Sequence, residues 1–237
     1  MERTQAQPRS PVVLAALDDD VSAALSFALD EARRQGCPLR VVAYDEGVLE
    51  RVLDRVGGVP GEGRLVTGTP VRAVLDASAD ARLVVVRRRD LLHLVRALTD
   101  PDGVLPTTWA DPPVACVPPG WTSRSDDERP VTVGVEDPAA ATVLLQSALD
   151  VCGAGPLRSV HAAHQRAGAA LLEAAACSRV LVLGRNPADR RGGTRLGRTA
   201  RTVLHQSPCP VVLLPPLPAP RHPEGCGPAA HPGVGSR

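Results

Sequence analysis

Three features of the 237-residue chain predict an α/β fold made of two tandem open half-domains, each a parallel sheet covered by helices. Short apolar runs of strand length alternate with Ala- and Leu-rich stretches of helical spacing. The whole pattern occurs twice along the chain. The composition is 43% apolar but only 2% aromatic, so the core is built from Ala, Val and Leu, as suits parallel strands buried on both faces.

The repeat is legible by eye. Leu83-Val84-Val85-Val86 returns as Val180-Leu181-Val182-Leu183, and PVACVPP at 113–119 returns as PVVLLPP at 210–216, both at an offset of 97. Nearer the start of each half the offset is 118: VLAALD at 13–18 matches VTVGVE at 131–136, and Pro38-Leu39-Arg40 matches Pro156-Leu157-Arg158. The second half therefore lacks 21 residues of the first, roughly those at 47–67.

Each half follows one plan. An apolar run ends in an acid, Asp18 or Glu136, and a helical stretch follows at 21–35 or 139–152, stopped by Gly36 or Gly153. A second strand comes at 39–44 or 157–162, then a helix at 70–79 or 167–177, the strand at 83–86 or 180–183, and a last strand before Pro-Pro. The first half alone adds a helix at 48–56 and a strand at 63–67. These boundaries give a first domain at 11–119, a linker at 120–129, a shortened second domain at 130–216, and a Pro/Gly-rich tail at 217–237 that reads as disordered.

The totals exclude several roles. Basic and acidic residues number 27 and 26, a net charge of +1, and every basic residue is Arg; this balance predicts no nucleic-acid or membrane partner. Aromatic platforms for stacking bases are missing. No apolar run reaches the length of a membrane span. The six cysteines form no C-x-x-C pair and the start of the chain is polar, so a reducing, cytoplasmic setting is expected. His161 and His164 lack further ligands nearby for a metal; His222, Cys226 and His231 in the tail offer only non-specific metal contact. No Walker loop, HExxH or Ser-His-Asp order occurs, so binding without catalysis is expected, with slow ATP hydrolysis the one activity left open.

A strand ending in Asp, an Ala-rich helix, a G-x-P before another helix, and a final P-C-P-V-V strand form a specific combination. Here they are VLAALDDD at 13–20, Gly68-Thr69-Pro70, and SPCPVVLL at 207–214. In these the chain resembles the universal stress protein (UspA-like) family. The resemblance implies strand order 3-2-1-4-5 in each half, with strand 3 at an edge, where its loss from the second half leaves the other strands paired. It implies a stress-response regulator with ATP as ligand. It also implies pairing of the last strands, 114–117 with 211–214, as an internal pseudo-dimer, and leaves association as a homodimer or with other family members open.

The family's phosphate loop has the form G-x2-G-x9-G-S/T after strand 4. In the second half Gly184 holds the first position, Pro187 the second, Gly197 the third and Arg198 the fourth, with Thr199 following. In the first half the same positions are Arg87, Asp90, Asp100 and Pro101, none of which matches. Glycine lets backbone approach phosphate oxygens, and a helix start offers free N–H groups to an anion. The expected cofactor residues are thus Glu136, Gly184, Gly197, Arg198 and Thr199, with ATP held weakly because Pro187 removes a backbone donor.

Each has a plainer reading beside this one. Gly184 and Gly197 equally serve as turn and helix-start glycines. Arg198 either pairs with phosphate, points to solvent or fills the site. Arg185, Arg190, Arg191 and Arg195 make the loop positive. Glu136 either serves the adenine and ribose end, as the resemblance implies, or sits at a helix N-terminus. Asp18 is read in the latter way, and Arg87-Arg88-Arg89 as a solvated charge run. Two further readings of function stand beside nucleotide binding: a degenerate homologue acting as a protein-interaction module, and a structural partner of intact family members.

Overall fold

A computed structural model of the chain describes residues 10–68, 70–91, 112–124, 127–161, 167–185 and 197–215. In the first half these form β1 (Val12–Ala16), α1 (Ser22–Gln35), β2 (Leu39–Ala43), α2 (Glu46–Leu53), β3 (Gly61–Leu65), α3 (Pro70–Ala77), β4 (Leu83–Arg87) and β5 (Val114–Val117). The second half gives β6 (Val131–Val135), a 3-10 turn (Pro138–Ala140), α4 (Ala141–Cys152), β7 (Leu157–His161), α5 (Ala167–Ala176), β8 (Val180–Gly184), α6 (Arg198–Gln206) and β9 (Val211–Leu214).

Local chemistry sets the element ends. Gly36 closes α1 in the left-handed conformation (φ 57°), and the N–H groups of Gly36 and Cys37 return to the carbonyls of Arg33 and Ala32. The α2 helix starts at Glu46, two residues earlier than expected, because Asp45 accepts from the Val48 N–H at 2.9 Å and caps it. The strand after it shifts by the same amount.

The strands form one nine-stranded sheet in the order β3-β2-β1-β4-β5-β9-β8-β6-β7. The first half therefore runs 3-2-1-4-5, as the resemblance implies, and the second half carries the same order without strand 3. All neighbours are parallel except at the centre, where β5 and β9 pair antiparallel with Ala115 opposite Val212. Both are short, buried strands, and each covers what would otherwise be the other's open edge.

Two apolar layers sandwich the sheet, and each runs through both halves. One contains α1, α2 and α4, with Phe27, Leu144 and Val151; the other contains α3, α5 and α6, with Val74, Leu171 and Val203. Alternate residues of β1 divide between them, Val12 and Leu14 to one layer and Val13 and Ala15 to the other.

The missing β-α segment leaves a trace in β7. Its counterpart β2 presents Leu39, Val41 and Ala43, all fully buried, to the layer that holds α2. At the 118 offset β7 has Leu157, Ser159 and His161, and all three are exposed. Where no helix covers the strand, polar residues replace two of its three apolar ones.

Further contacts tie the halves together. The Phe27 ring of α1 meets Trp121 edge-on, with centroids 5.5 Å apart and planes at 77°. Ser123 donates to Asp30 of α1, Gln35 to the Val151 carbonyl and Arg82 to the Asp150 carbonyl. Arg179, just before β8, donates to Glu31 of α1 and to the Cys152 carbonyl at 3.1 Å. The segment between the halves, 120–129 in the sequence reading, thus packs on α1 through Trp121 and Ser123.

Candidate functional site

In a doubly wound sheet the natural ligand crevice lies past the C-terminal ends of the two strands where the order reverses. Here there are two such places. One lies between β1 and β4, where Asp18 and Arg87 stand; the other lies between β6 and β8, where Glu136 and Gly184 stand.

The first crevice is filled from within. Arg87 turns inward, only 7% exposed. Its Nε and one terminal nitrogen donate to the two carboxylate oxygens of Asp90 at 2.5 and 2.9 Å. Its other terminal nitrogen donates to Asp18 and, at 3.0 Å, to the Asp20 carbonyl. Arg89 reaches the second oxygen of Asp18 at 2.5 Å. The hydrogen bond from Arg87 holds the Asp18 carboxyl below the ordinary value of 3.8.

These contacts correct two expectations. The run Arg87-Arg88-Arg89 is not a solvated charge run: two members are bound to acids, and Arg88 donates to the His205 carbonyl at 3.0 Å and to that of Ser207, gripping the end of α6. Spacing alone shows three adjacent charges and not which way each side chain turns. Asp18 is not held by a helix N-terminus: α1 has no side-chain cap, and the partners of Asp18 are Arg87, Arg89 and the Asp20 N–H. The Arg87-x-x-Asp90 spacing was the available signal, since residues three apart on a helical turn can pair.

The second crevice is built differently. Glu136 is exposed at the end of β6, and among the described residues it has no ion-pair partner. The capping role next to it falls to Asp137, which accepts from the Ala139 N–H at 2.9 Å. Gly184 ends β8, and Leu144 packs over it: a Cβ there would stand 3.0 Å from a Leu144 methyl. Gly197 precedes α6 in extended backbone (φ −60°, ψ 161°) with no side-chain cap. Arg198 is exposed and Thr199 half-buried on the first turn of that helix.

Arg185 does not join a phosphate clamp. Its Nε donates to the Leu214 carbonyl at 2.9 Å, and a terminal nitrogen donates to the Pro112 carbonyl at 3.2 Å. This carries it across the central seam toward the first half. Pro187, Arg190, Arg191 and Arg195 lie outside the described residues, as do Asp100, Pro101, His164, His222, Cys226 and His231. His161 is described and exposed.

A well-defined space lies elsewhere. A cavity of about 400 Å3 lies near the N-terminal ends of β6 and β7, lined by Arg34, Asp127, Arg129, Pro156 and Arg179 among others. Much of its charge is matched internally: Arg129 forks onto Asp127 at 2.8 and 2.6 Å, and Arg179 is bound to Glu31. Among the described residues no group of three His, Cys, Asp or Glu could hold a metal ion. Cys37, Cys116, Cys152 and Cys209 are buried; burial pushes the Cys116 thiol up to about 12, which leaves it inert as a nucleophile.

Fold and crevices together define a tandem, doubly wound α/β protein with one crevice occupied by its own side chains and one where, among the described residues, no side chain takes that place. No protein-family model matches the chain, and no curated protein matches it. Solved structures do match it in fold. A universal stress protein from Archaeoglobus fulgidus DSM 4304 superposes with a TM-score of 0.56 over 88% of this chain and 98% of that one, at 12% identity. A functionally unknown protein from Pseudomonas aeruginosa PAO1 superposes with a TM-score of 0.58 over 89% and 93%, at 13% identity. The chain thus shares the universal stress protein fold over both halves. No described helix is long and apolar enough to cross a membrane.

Proposed function

We propose that this protein is a ligand-responsive regulator of the universal stress type, holding an adenine nucleotide weakly in its second half and carrying out no chemistry on it. The observation that carries this reading is the contrast between Arg87 and Gly184. At equivalent positions one crevice has a buried guanidinium and the other a glycine. The second crevice is bordered by the start of α6, where Gly197, Arg198 and Thr199 offer helix-start backbone N–H groups and a cation to an anion. Glu136 stands opposite, where a ribose hydroxyl could donate to it. The stress-response role is argued from fold likeness, and cytoplasmic residence from cysteine usage.

Calorimetric titration with Mg-ATP tests the reading, beside Arg198→Glu and Thr199→Ala. Arg198 is exposed, so its substitution leaves the fold intact while reversing the charge at the helix start. The expected loss is about tenfold or more in affinity for Arg198→Glu, about 1.4 kcal/mol or more.

A second reading has its own observation. Gly184 has a structural reason of its own, since it lies under Leu144, and Gly197 is in a backbone conformation open to any residue, so neither one's geometry marks a phosphate loop. On that reading the protein is an interaction module without nucleotide. No heat and no thermal shift at millimolar ATP would select it.

A further inference from the structure

We propose that the first half's crevice has become a guanidinium site whose ligand is the chain's own Arg87, an internal ligand that fixes the architecture of that half and closes it to anions. Four features carry this. The guanidinium makes four hydrogen bonds, two to Asp90, one to Asp18 and one to the Asp20 carbonyl. Arg87 and Asp90 are both buried, at 7% and 6% exposure. Arg89 covers the outer side, bound to Asp18 at 2.5 Å and 3.7 Å from a carboxylate oxygen of Asp20. And the acceptor set belongs to the first half alone. At the matching offsets the two carboxylate acceptors, Asp18 and Asp90, correspond to Glu136 and Pro187, so the second half keeps one acid of two and has glycine where the arginine would be.

The chemistry selects this cation. A planar fork matches the two oxygens of Asp90 and leaves its far edge for Asp18 and the Asp20 carbonyl, which an ammonium group cannot do. An anionic ligand entering here would have to displace Arg87, leaving the buried Asp90 without its partner and Asp18 with Arg89 alone. The first half therefore offers no nucleotide site of its own.

Chemical rescue tests the proposal. Arg87→Ala leaves a buried carboxylate and a hole of guanidinium shape, and its melting temperature should fall on the order of 10 °C. Millimolar ethylguanidinium should restore several degrees to Arg87→Ala, while ethylammonium should not. Neither compound should raise the wild type or Arg87→Met, whose side chain fills the hole without charge. If Arg87→Ala does not accumulate in folded form, refolding yield with and without ethylguanidinium makes the same comparison. Recovery that needs the guanidinium supports the proposal; equal behaviour with either cation, or an equal gain by the wild type, overturns it. The readout is stability, so it is independent of whether the second half takes a nucleotide.

Discussion

Arg179 of the second half donates to Glu31 of the first, and the two side chains are only 6% and 1% exposed. This buried ion pair lies between the halves, extended by the Cys152 carbonyl on one side and by Gln35, whose amide donates to Glu31 at 3.4 Å, on the other. Burial pushes the Glu31 carboxyl above its ordinary value of 4.5, against the pull of Arg179 and Arg34. Each partner is tolerable in the seam because the other is there.

Removing one partner should therefore harm more than removing both. Glu31→Ala or Arg179→Ala alone should cost about 3–5 kcal/mol, whereas Glu31→Leu with Arg179→Met should lie much nearer wild type. Urea denaturation of the four proteins gives the cycle. A double variant as unstable as the sum of the singles would show that the pair contributes no coupling.

Arg88 should matter to α6, not to the first half in which it lies. Its guanidinium meets the His205 and Ser207 carbonyls at the end of the helix whose start forms the candidate anion site. Arg88→Ala should cost about 1 kcal/mol and should speed amide exchange across 198–206 while leaving β1 and β2 protected. Uniform loss of protection would contradict this local role.

Acid should act through the aspartates. Hydrogen bonds from Arg87, Arg40 and Arg129 hold Asp18, Asp80 and Asp127 below the ordinary value of 3.8. A group depressed in the folded state binds its proton more readily in the unfolded one. Its stabilisation is thus present above the unfolded value and lost as pH falls through it toward the folded one. Glu31 has the opposite sign, because protonation relieves its burial, so it offsets part of the loss from about its ordinary value upward. The melting temperature should hold to about pH 5 and fall steeply below about pH 4. The fall should be shallower in Arg87→Ala, where Asp18 returns toward its ordinary value.

The polar residues of β7 should keep that edge single. Ser159→Val with His161→Val would restore the apolar face of β2 on a strand whose three residues here are exposed among the described residues. Light scattering should then show self-association at concentrations where wild type remains unchanged. An unchanged scattering profile would mean that the exposed face does not govern association.

Much of the fold was legible because it is written in repetition. The offsets of 97 and 118 gave the duplicated plan and the missing segment, and the apolar runs placed β1, β2, β4, β5 and their counterparts to within a residue or two. The candidate site was less so. Gly184 was visible as a motif residue, but its packing under Leu144 depends on a helix 40 residues earlier, which spacing does not reach. The arginine run was misread for the same reason: adjacent residues on a strand end and a helical turn point in different directions, so Arg87 goes to Asp90, Arg88 to α6 and Arg89 to Asp18.

By itself the sequence determined the α/β class, the duplication and the absence of a recognisable catalytic motif, because periodicity and spacing are properties of the chain alone; the strand order of each half came only through the family resemblance. Only the tertiary structure decided that β5 and β9 join the halves into one sheet, that Glu31 and Arg179 lie buried in their seam, and that Arg87 fills one crevice. Those outcomes turn on which side chains meet across 69 or 148 residues of sequence, as Asp18 meets Arg87 and Glu31 meets Arg179. Direction and burial, set by packing, choose among partners that charge and composition leave equivalent.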